Sequence, residues 1–267
     1  MYRFLLTPRW LGMLALTIAA ASAMVLLGDW QLSRYQERTA INERIDAAEK
    51  LPPAPLAEVL ATPPGRAGTV GQAPPEEVAW TRVTVTGRYD ASNTVLVRSR
   101  TVDSRVGFEV VMPLVLDDGS AVLVDRGWVP PAPGGAIAHP QLPSTPVGEV
   151  TVVGRIHLSE SADRISRQDG RIETRRIAVP RLASHLPYPV YGAYLLVDGQ
   201  TPPADPAFAA IPIGHENNWQ NGGYALQWWI FAGMTPVGLG WLAIREARER
   251  RAGGAGRPTQ PAPVLPA

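Results

Sequence analysis

The stretch from Tyr224 to Ile244, YALQWWIFAGMTPVGLGWLAI, runs 21 residues without a charge. As a helix rising 1.5 Å per residue it reaches about 31 Å, the hydrocarbon thickness of a bilayer. Trp228 and Trp229 near one end and Trp241 near the other match the preference of indole for both membrane interfaces. Beyond the run, Arg245, Arg248, Arg250, Arg251 and Arg257 outnumber Glu246 and Glu249. A short basic tail after an apolar span reads as cytoplasmic. The core helix of a soluble protein seldom runs this long without a polar face. The stretch is therefore expected to be a membrane helix, residues 224–244, followed by an inner basic tail, residues 245–267.

A second run, Trp10 to Gly28, is also uncharged and about long enough to span. It follows a short tail, residues 1–9, that carries Arg3 and Arg9 and no acid. Ala21-Ser22-Ala23 has the look of a signal-peptide cleavage site, but Val25, Leu26 and Leu27 carry the apolar run past it. Trp10 and Trp30 bracket the run as tryptophans do the later one, which argues for a retained first span over residues 10–28. With both termini inside, residues 29–223 fall on the outer face. The expectation is a multi-pass protein of a bacterial cell membrane; the Arg-rich, Ala-rich composition, with Lys50 the sole lysine, fits a bacterial coding habit. Nine residues ahead of the first run leave little room for a mitochondrial presequence.

Between the spans, Asp29 to Leu51 has few helix breakers and places Tyr35, Ile41, Ile45 and Ala48 at near-helical spacing, so residues 29–51 read as an outer-face helix. Residues 52–79 read as a Pro-rich linker that does not pack, with seven prolines between Pro52 and Pro75. From residue 80 to 198 the apolar period becomes two. Strands are expected around Val83–Gly87, Thr94–Arg98, Phe108–Leu116, Ala121–Val129, Val150–Ile156 and Tyr191–Val197, and Asp117-Asp118-Gly119 signals a hairpin. Arg175–Leu182 fits a strand or a short helix, divided by Pro180. Residues 132–146 and 199–223 read as long loops. The fold class is thus α+β: two transmembrane helices flanking an extracytoplasmic, antiparallel β-rich domain, barrel- or sandwich-like.

Composition closes several functional classes. There is no cysteine, hence no disulfide, thiol nucleophile or thiolate metal site. A net charge of +1 gives no pull toward nucleic acid. His139, His157, His185 and His215 are isolated from one another, without a metal-binding pair, and the sequence shows no nucleophile elbow or phosphate-binding glycine loop. An enzyme is not expected.

Three stretches stand out instead. Gly28-Asp29-Trp30-Gln31-Leu32-Ser33-Arg34 closes the first span on its outer side, and Tyr224-Ala225-Leu226-Gln227-Trp228-Trp229 opens the second. Each puts a Trp–Gln pair at one membrane depth. The two glutamines either pair with each other while the tryptophans anchor the interface, or the stretches form a docking surface for a membrane partner or an amphiphilic cofactor. The third, Leu123 to Pro130, carries Asp125, Arg126, Gly127 and Trp128. Asp125 and Arg126 are strand neighbours on opposite faces, so one faces inward and needs a buried partner, with Arg88, Arg98 and Glu109 as candidates.

In this order the motifs resemble the Surfeit locus protein 1 family, assembly factors of haem–copper cytochrome c oxidase. The matching residues are Gly28-x-Trp30-Gln31-Leu32-x-Arg34, Val83-x-Val85-x-Gly87-x-Tyr89-Asp90 and Gly107-Phe108-Glu109-Val110-Val111-x-Pro113-Leu114. They continue with Asp118-Gly119, Val124 to Pro130, Val150-x-Val152-x-Gly154 and Tyr224-Ala225-x-Gln227-Trp228. The resemblance implies two membrane helices around an outer β-rich domain, no catalysis, and a chaperone role in maturing the oxidase core subunit. It further implies, as partners, that subunit, a haem a synthesis enzyme and membrane lipid, with haem a as a transient ligand. Docking would fall to Trp30, Gln31, Arg34, Tyr224, Gln227 and Trp228, and domain organisation to Asp125, Arg126, Gly127 and Trp128. One position departs: where relatives carry a histidine three residues before the motif tyrosine, this chain has Asn221, and an amide is a poor ligand for haem iron. His215, six residues upstream, is the substitute ligand to consider. The competing reading is a membrane-anchored outer-face protein binding another envelope client, a lipid or a different complex.

Overall fold

Helix α1 runs unbroken from Pro8 to Lys50 in the computed structural model, which describes residues 3–135, 138–168 and 171–255. Its 43 residues amount to about 65 Å, twice a bilayer's apolar thickness, so the expected first span and outer-face helix are one element. The reason is local: no Gly or Pro lies between Asp29 and Lys50, and Gln, Arg, Glu and Ala carry the helix outward. Only 6% of its most apolar window is buried, whereas the core helix of a soluble protein would be mostly buried.

Beyond α1 come β1 (Ala54–Pro55), α2 (Leu56–Val59), β2 (Arg82–Tyr89), β3 (Val95–Val102), β4 (Arg105–Val115) and β5 (Ala121–Val129). Then follow β6 (Val150–Leu158), β7 (Ser166–Gln168), β8 (Arg171–Thr174), α3 (Val179–Ala183), β9 (Val190–Thr201) and α4 (Trp219–Ala255). The chain divides into two compact units, Met1–Ile41 with Glu216–Ala267, and Asn42–His215.

In the second unit the strands form one sheet in the order β1-β2-β6-β9-β5-β4-β3-β8-β7, and β2 also pairs with β4 through Arg88–Val115 and Tyr89–Leu114. Ladders therefore run in a ring through β2, β6, β9, β5 and β4. The sheet is mixed rather than antiparallel, a correction to the expectation, because β1–β2, β3–β8 and β5–β9 pair parallel. Periodicity along one strand reports which face is buried, not the direction of its neighbour. The hairpin at Asp117-Asp118-Gly119 is present, with Ser120 N–H donating to Asp118 Oδ1 at 2.9 Å.

Two further expectations are corrected. Residues 52–79 do pack: Leu56 and Leu60 are 3% exposed and lie in the core with Val83, Leu114 and Tyr191, while Val70 bridges to Val190. The prolines exclude long regular structure, but not burial of the leucines between them. Residues 199–223 are not one loop either. β9 extends to Thr201, Ala209 pairs with Trp128, and α4 begins at Trp219. Arg175–Leu182 resolves into the start of α3, with Pro180 in its first turn, where the missing N–H costs nothing.

In the first unit α4 is helical through 37 residues and contains the whole 224–244 run. Among the described residues, however, only α1 is apolar enough to count as a membrane-crossing helix, so one span is shown and not two. Gln227, Thr235, Pro236 and three glycines dilute the apolar content of the 224–244 run. Pro236 removes one backbone donor, and Thr235 Oγ donates to the carbonyl of Ala232 at 2.7 Å, the acceptor that the proline leaves free. Residues 256–267 of the basic tail, Arg257 among them, lie outside the described residues, as do Met1 and Tyr2.

Candidate docking site on the long helices, and the buried ionic groups of the sheet

Along α1, Gly28, Gln31, Tyr35 and Thr39 follow helical spacing and turn toward α4. Asn221 Nδ2 donates to Gln31 Oε1 at 2.7 Å, and Asn218 Nδ2 donates to Thr39 Oγ1 at 2.8 Å. Arg38 donates to the Asn217 carbonyl at 2.8 Å. Small residues set the spacing: Ala225 and Ala232 are buried, and the Trp229 ring rests on Gly28, where a Cβ would come within 2.5 Å of Trp229 Cδ1. Gly222 lies against the Tyr35 ring in the same way. Gln31 thus pairs with Asn221 and not with Gln227, because Gln227 sits two positions past Ala225 and faces outward.

With the seam satisfied by asparagines, the other motif residues are left outside it. Trp30 is 53% exposed and Tyr224 43%; Arg34 and Gln227 are exposed, and Trp228 is half-buried edge-on to Phe231. Arg34 pairs with Glu37 at 2.8 Å, a fully surface contact worth little in itself. The arrangement is an aromatic and polar surface on which Trp30 and Tyr224 stay about half exposed, with Gln220 Nε2 donating to the Tyr224 hydroxyl at 3.4 Å.

Haem ligation finds little support in this donor set. The Asn221 amide donates to Gln31, and residues 28–39 and 216–229 hold no imidazole. In the other unit His215 Nε2 lies 2.8 Å from Asp46 Oδ1, with both side chains more than half exposed. A ligand to buried haem iron would need an apolar enclosure, which an exposed His–Asp pair lacks.

Within the sheet unit, β5 is bulged. Glu109 pairs with Trp128 and Val111 with Asp125, so Arg126 and Gly127 together oppose Val110. Gly127 adopts φ +129°, and a Cβ there would sit 2.9 Å from the Ala209 carbonyl, which only glycine tolerates. The bulge brings the carboxyl of Asp125 to that of Glu109, and Gly127 N–H donates to Asp125 Oδ1 at 3.2 Å. Arg100 contacts Glu109 at 2.8 Å and Glu160 at 2.7 Å, and Trp128 Nε1 donates to the Arg100 carbonyl at 3.0 Å. Two acids thus share one guanidinium, and Asp125 joins them through Glu109. Burial pushes Glu109 up to about 7 against the pull of Arg100, with Glu160 adding to the rise. Asp125 is held well above the carboxylate range by burial and then by Glu109. Burial also raises the Tyr194 phenol beside them and lowers His157, which stacks on Tyr194 at 5.0 Å.

Arg126 is buried as well, on the other side. Its guanidinium lies 4.7 Å from the centroids of both Tyr89 and Phe208, and donates to Thr145 Oγ1 at 2.9 Å and the Ser144 carbonyl at 3.1 Å. The expectation that only one of Asp125 and Arg126 faces inward is corrected, because residues 142–145 and 205–209 cover the second face of the strand. Of the three partners expected for whichever of Asp125 and Arg126 faces inward, Glu109 meets Asp125, while Arg88 pairs instead with Asp117. Arg100, Glu160 and Tyr194 were missed. A second bulge between Arg98 and Arg100, with Ser99 at φ +63°, shifts the facing of β3 partway along.

A long N-terminal apolar helix, a second long helix zipped to it by amides, and a mixed sheet locked by buried ionic groups define a membrane-anchored α+β protein. The SURF1 family model matches residues 18–233. Uncharacterized SURF1-like proteins of Mycobacterium tuberculosis and Mycobacterium bovis are 34% identical over 268 residues, covering 98% of this chain and 93% of theirs. A SURF1-like protein of Dictyostelium discoideum is 28% identical over 102 residues, 38% of this chain and 37% of that one. The chain belongs to the SURF1 family, a family of cytochrome oxidase assembly proteins.

Proposed function

We propose that this protein is a non-catalytic assembly factor for a haem–copper cytochrome c oxidase, holding the core subunit in the membrane during maturation. In this reading α1 and α4 both cross the membrane with the termini on the cytoplasmic side, and the sheet unit faces outward. The exposed apolar side chains of α4, among them Leu226, Ile230, Val237 and Leu242, support the second span, as does the arginine excess beyond it.

One observation carries the docking role. The Asn221–Gln31 bond satisfies the seam internally, so Trp30, Arg34, Tyr224, Gln227 and Trp228 are left to meet a partner. Aromatic groups with one polar edge suit a membrane-embedded protein surface at interfacial depth. The chain acts by docking; no step is assigned to iron ligation through Asn221 or His215. The test is Trp30→Ala combined with Gln227→Ala, expressed in place of the native protein. Oxidase haem a content should fall while the variant stays in the membrane at normal abundance. Unaltered oxidase spectra with that variant would remove these residues from the function.

A further inference from the structure

At the opposite end of the helix pair from Asn221, α1 and α4 line an open-sided cavity of about 410 Å³. Trp10, Leu14, Ile18 and Ala21 of α1 and Leu239 and Gly240 of α4 contribute to its walls. The one hydroxyl in the wall, Thr17 Oγ1, is spent on the Met13 carbonyl at 2.8 Å. From Trp10 to Ala21 the cavity follows α1 for about 16 Å, close to the depth of a single leaflet, about 15 Å.

The mouth differs in character. Phe4 and Trp10 meet edge to face at 5.4 Å and pack with Ala247, and Arg250 stacks over Phe4 at 4.9 Å. Arg245 and Arg250 are committed to Glu249 and Glu246. Arg9, next to Trp10, and Arg248, just over one turn beyond Ala243 of the cavity wall, are exposed and have no carboxylate partner among the described residues. The Trp10 indole N–H is buried there without a hydrogen-bond acceptor.

We infer that this cavity seats one acyl chain of an anionic phospholipid of the inner leaflet. The chain fills the apolar groove down to Ala21, the ester carbonyl answers the Trp10 N–H, and the phosphate lies between Arg9 and Arg248. An apolar slot one leaflet deep, with an exposed arginine on each helix within about a turn and a half of its wall, matches that molecule in length, polarity and charge. A zwitterionic lipid offers the same chain without the net charge, and a soluble apolar ligand leaves both arginines unanswered. The inference rests on α4 lying in the membrane.

The experiment is native mass spectrometry of the full-length protein, incubated with equimolar phosphatidylglycerol and phosphatidylcholine. Retention of phosphatidylglycerol at least fivefold over phosphatidylcholine is expected. Gly240→Leu places a side chain in open space, since a Cβ at Gly240 meets nothing within 4 Å, and should cut that adduct at least fivefold. Ala21→Phe should do the same from the other helix, and helicity by circular dichroism checks that both variants fold. Arg9→Gln with Arg248→Gln should level the two lipids without abolishing binding. Equal retention of both lipids by the wild type, or full adducts in both filled variants, overturns the proposal. Maleimide labelling of Thr235→Cys in intact cells separates the underlying premise: protection places α4 in the bilayer, and ready labelling refutes the span on which the lipid seat depends.

Discussion

Asn221 donates through Nδ2 to Gln31 Oε1 at 2.7 Å, joining the two long helices at the position where a histidine was looked for. Through that bond Asn221 is a seam residue, so the docking surface and the seam are separate sets of residues. Gln31, grouped by sequence with Trp30 and Arg34, belongs to the seam.

A double-mutant cycle of Gln31→Leu and Asn221→Leu should return a coupling of about 0.6 kcal/mol, up to about 1.7 kcal/mol, the range of hydrogen bonds between membrane helices. Reversible unfolding in detergent micelles measures it. A coupling indistinguishable from zero would mean that the bond adds nothing to helix pairing.

Stability of the sheet unit should depend on pH through Glu109. Its carboxyl titrates at about 7 when folded against an ordinary 4.5, so the folded state holds the proton more tightly than the unfolded one. The stabilisation from protonation is complete below about pH 4.5, declines as pH rises through 7, and is absent above. At about 1.4 kcal/mol per pK unit the span is about 3 kcal/mol. Asp125, also raised, extends the decline upward. Denaturation midpoints between pH 5 and 8 should fall, and Glu109→Gln should flatten the slope. Midpoints that rise over this interval would reverse the assignment.

Arg126→Ala should destabilise the protein by about 2–4 kcal/mol, since two ring contacts and two hydrogen bonds go together. Arg126→Met keeps much of the volume between Tyr89 and Phe208 and should cost less. Limited proteolysis near Ser144 and Asp205 should quicken in the alanine variant. Cleavage rates equal to wild type would show that those segments are held without Arg126.

Much of this architecture could be read from local pattern. Period two located β2, β4, β5, β6 and β9 to within a few residues, and Asp117-Asp118-Gly119 located the hairpin. Failures occurred where tertiary contacts override local pattern. Leu56 and Leu60 are core residues inside a proline-rich stretch because the sheet supplies a surface for them. The parallel β5–β9 ladder joins strands far apart in the chain, about which periodicity is silent. The partners of Asp125 depend on two bulges, each of which breaks the alternation that assigns faces. The motif residues Trp30, Tyr224 and Gln227 were visible in sequence, but Asn221 stood out only as a missing histidine until its contact with Gln31 gave it a role.

The most direct test of the assembly role is a reduced-minus-oxidised spectrum of membranes from a strain lacking this gene. With the oxidase subunits still synthesised, the haem a band should be lost or strongly weakened and should return when the gene is restored. A haem a band of undiminished height in the deletion strain would contradict a role in oxidase maturation.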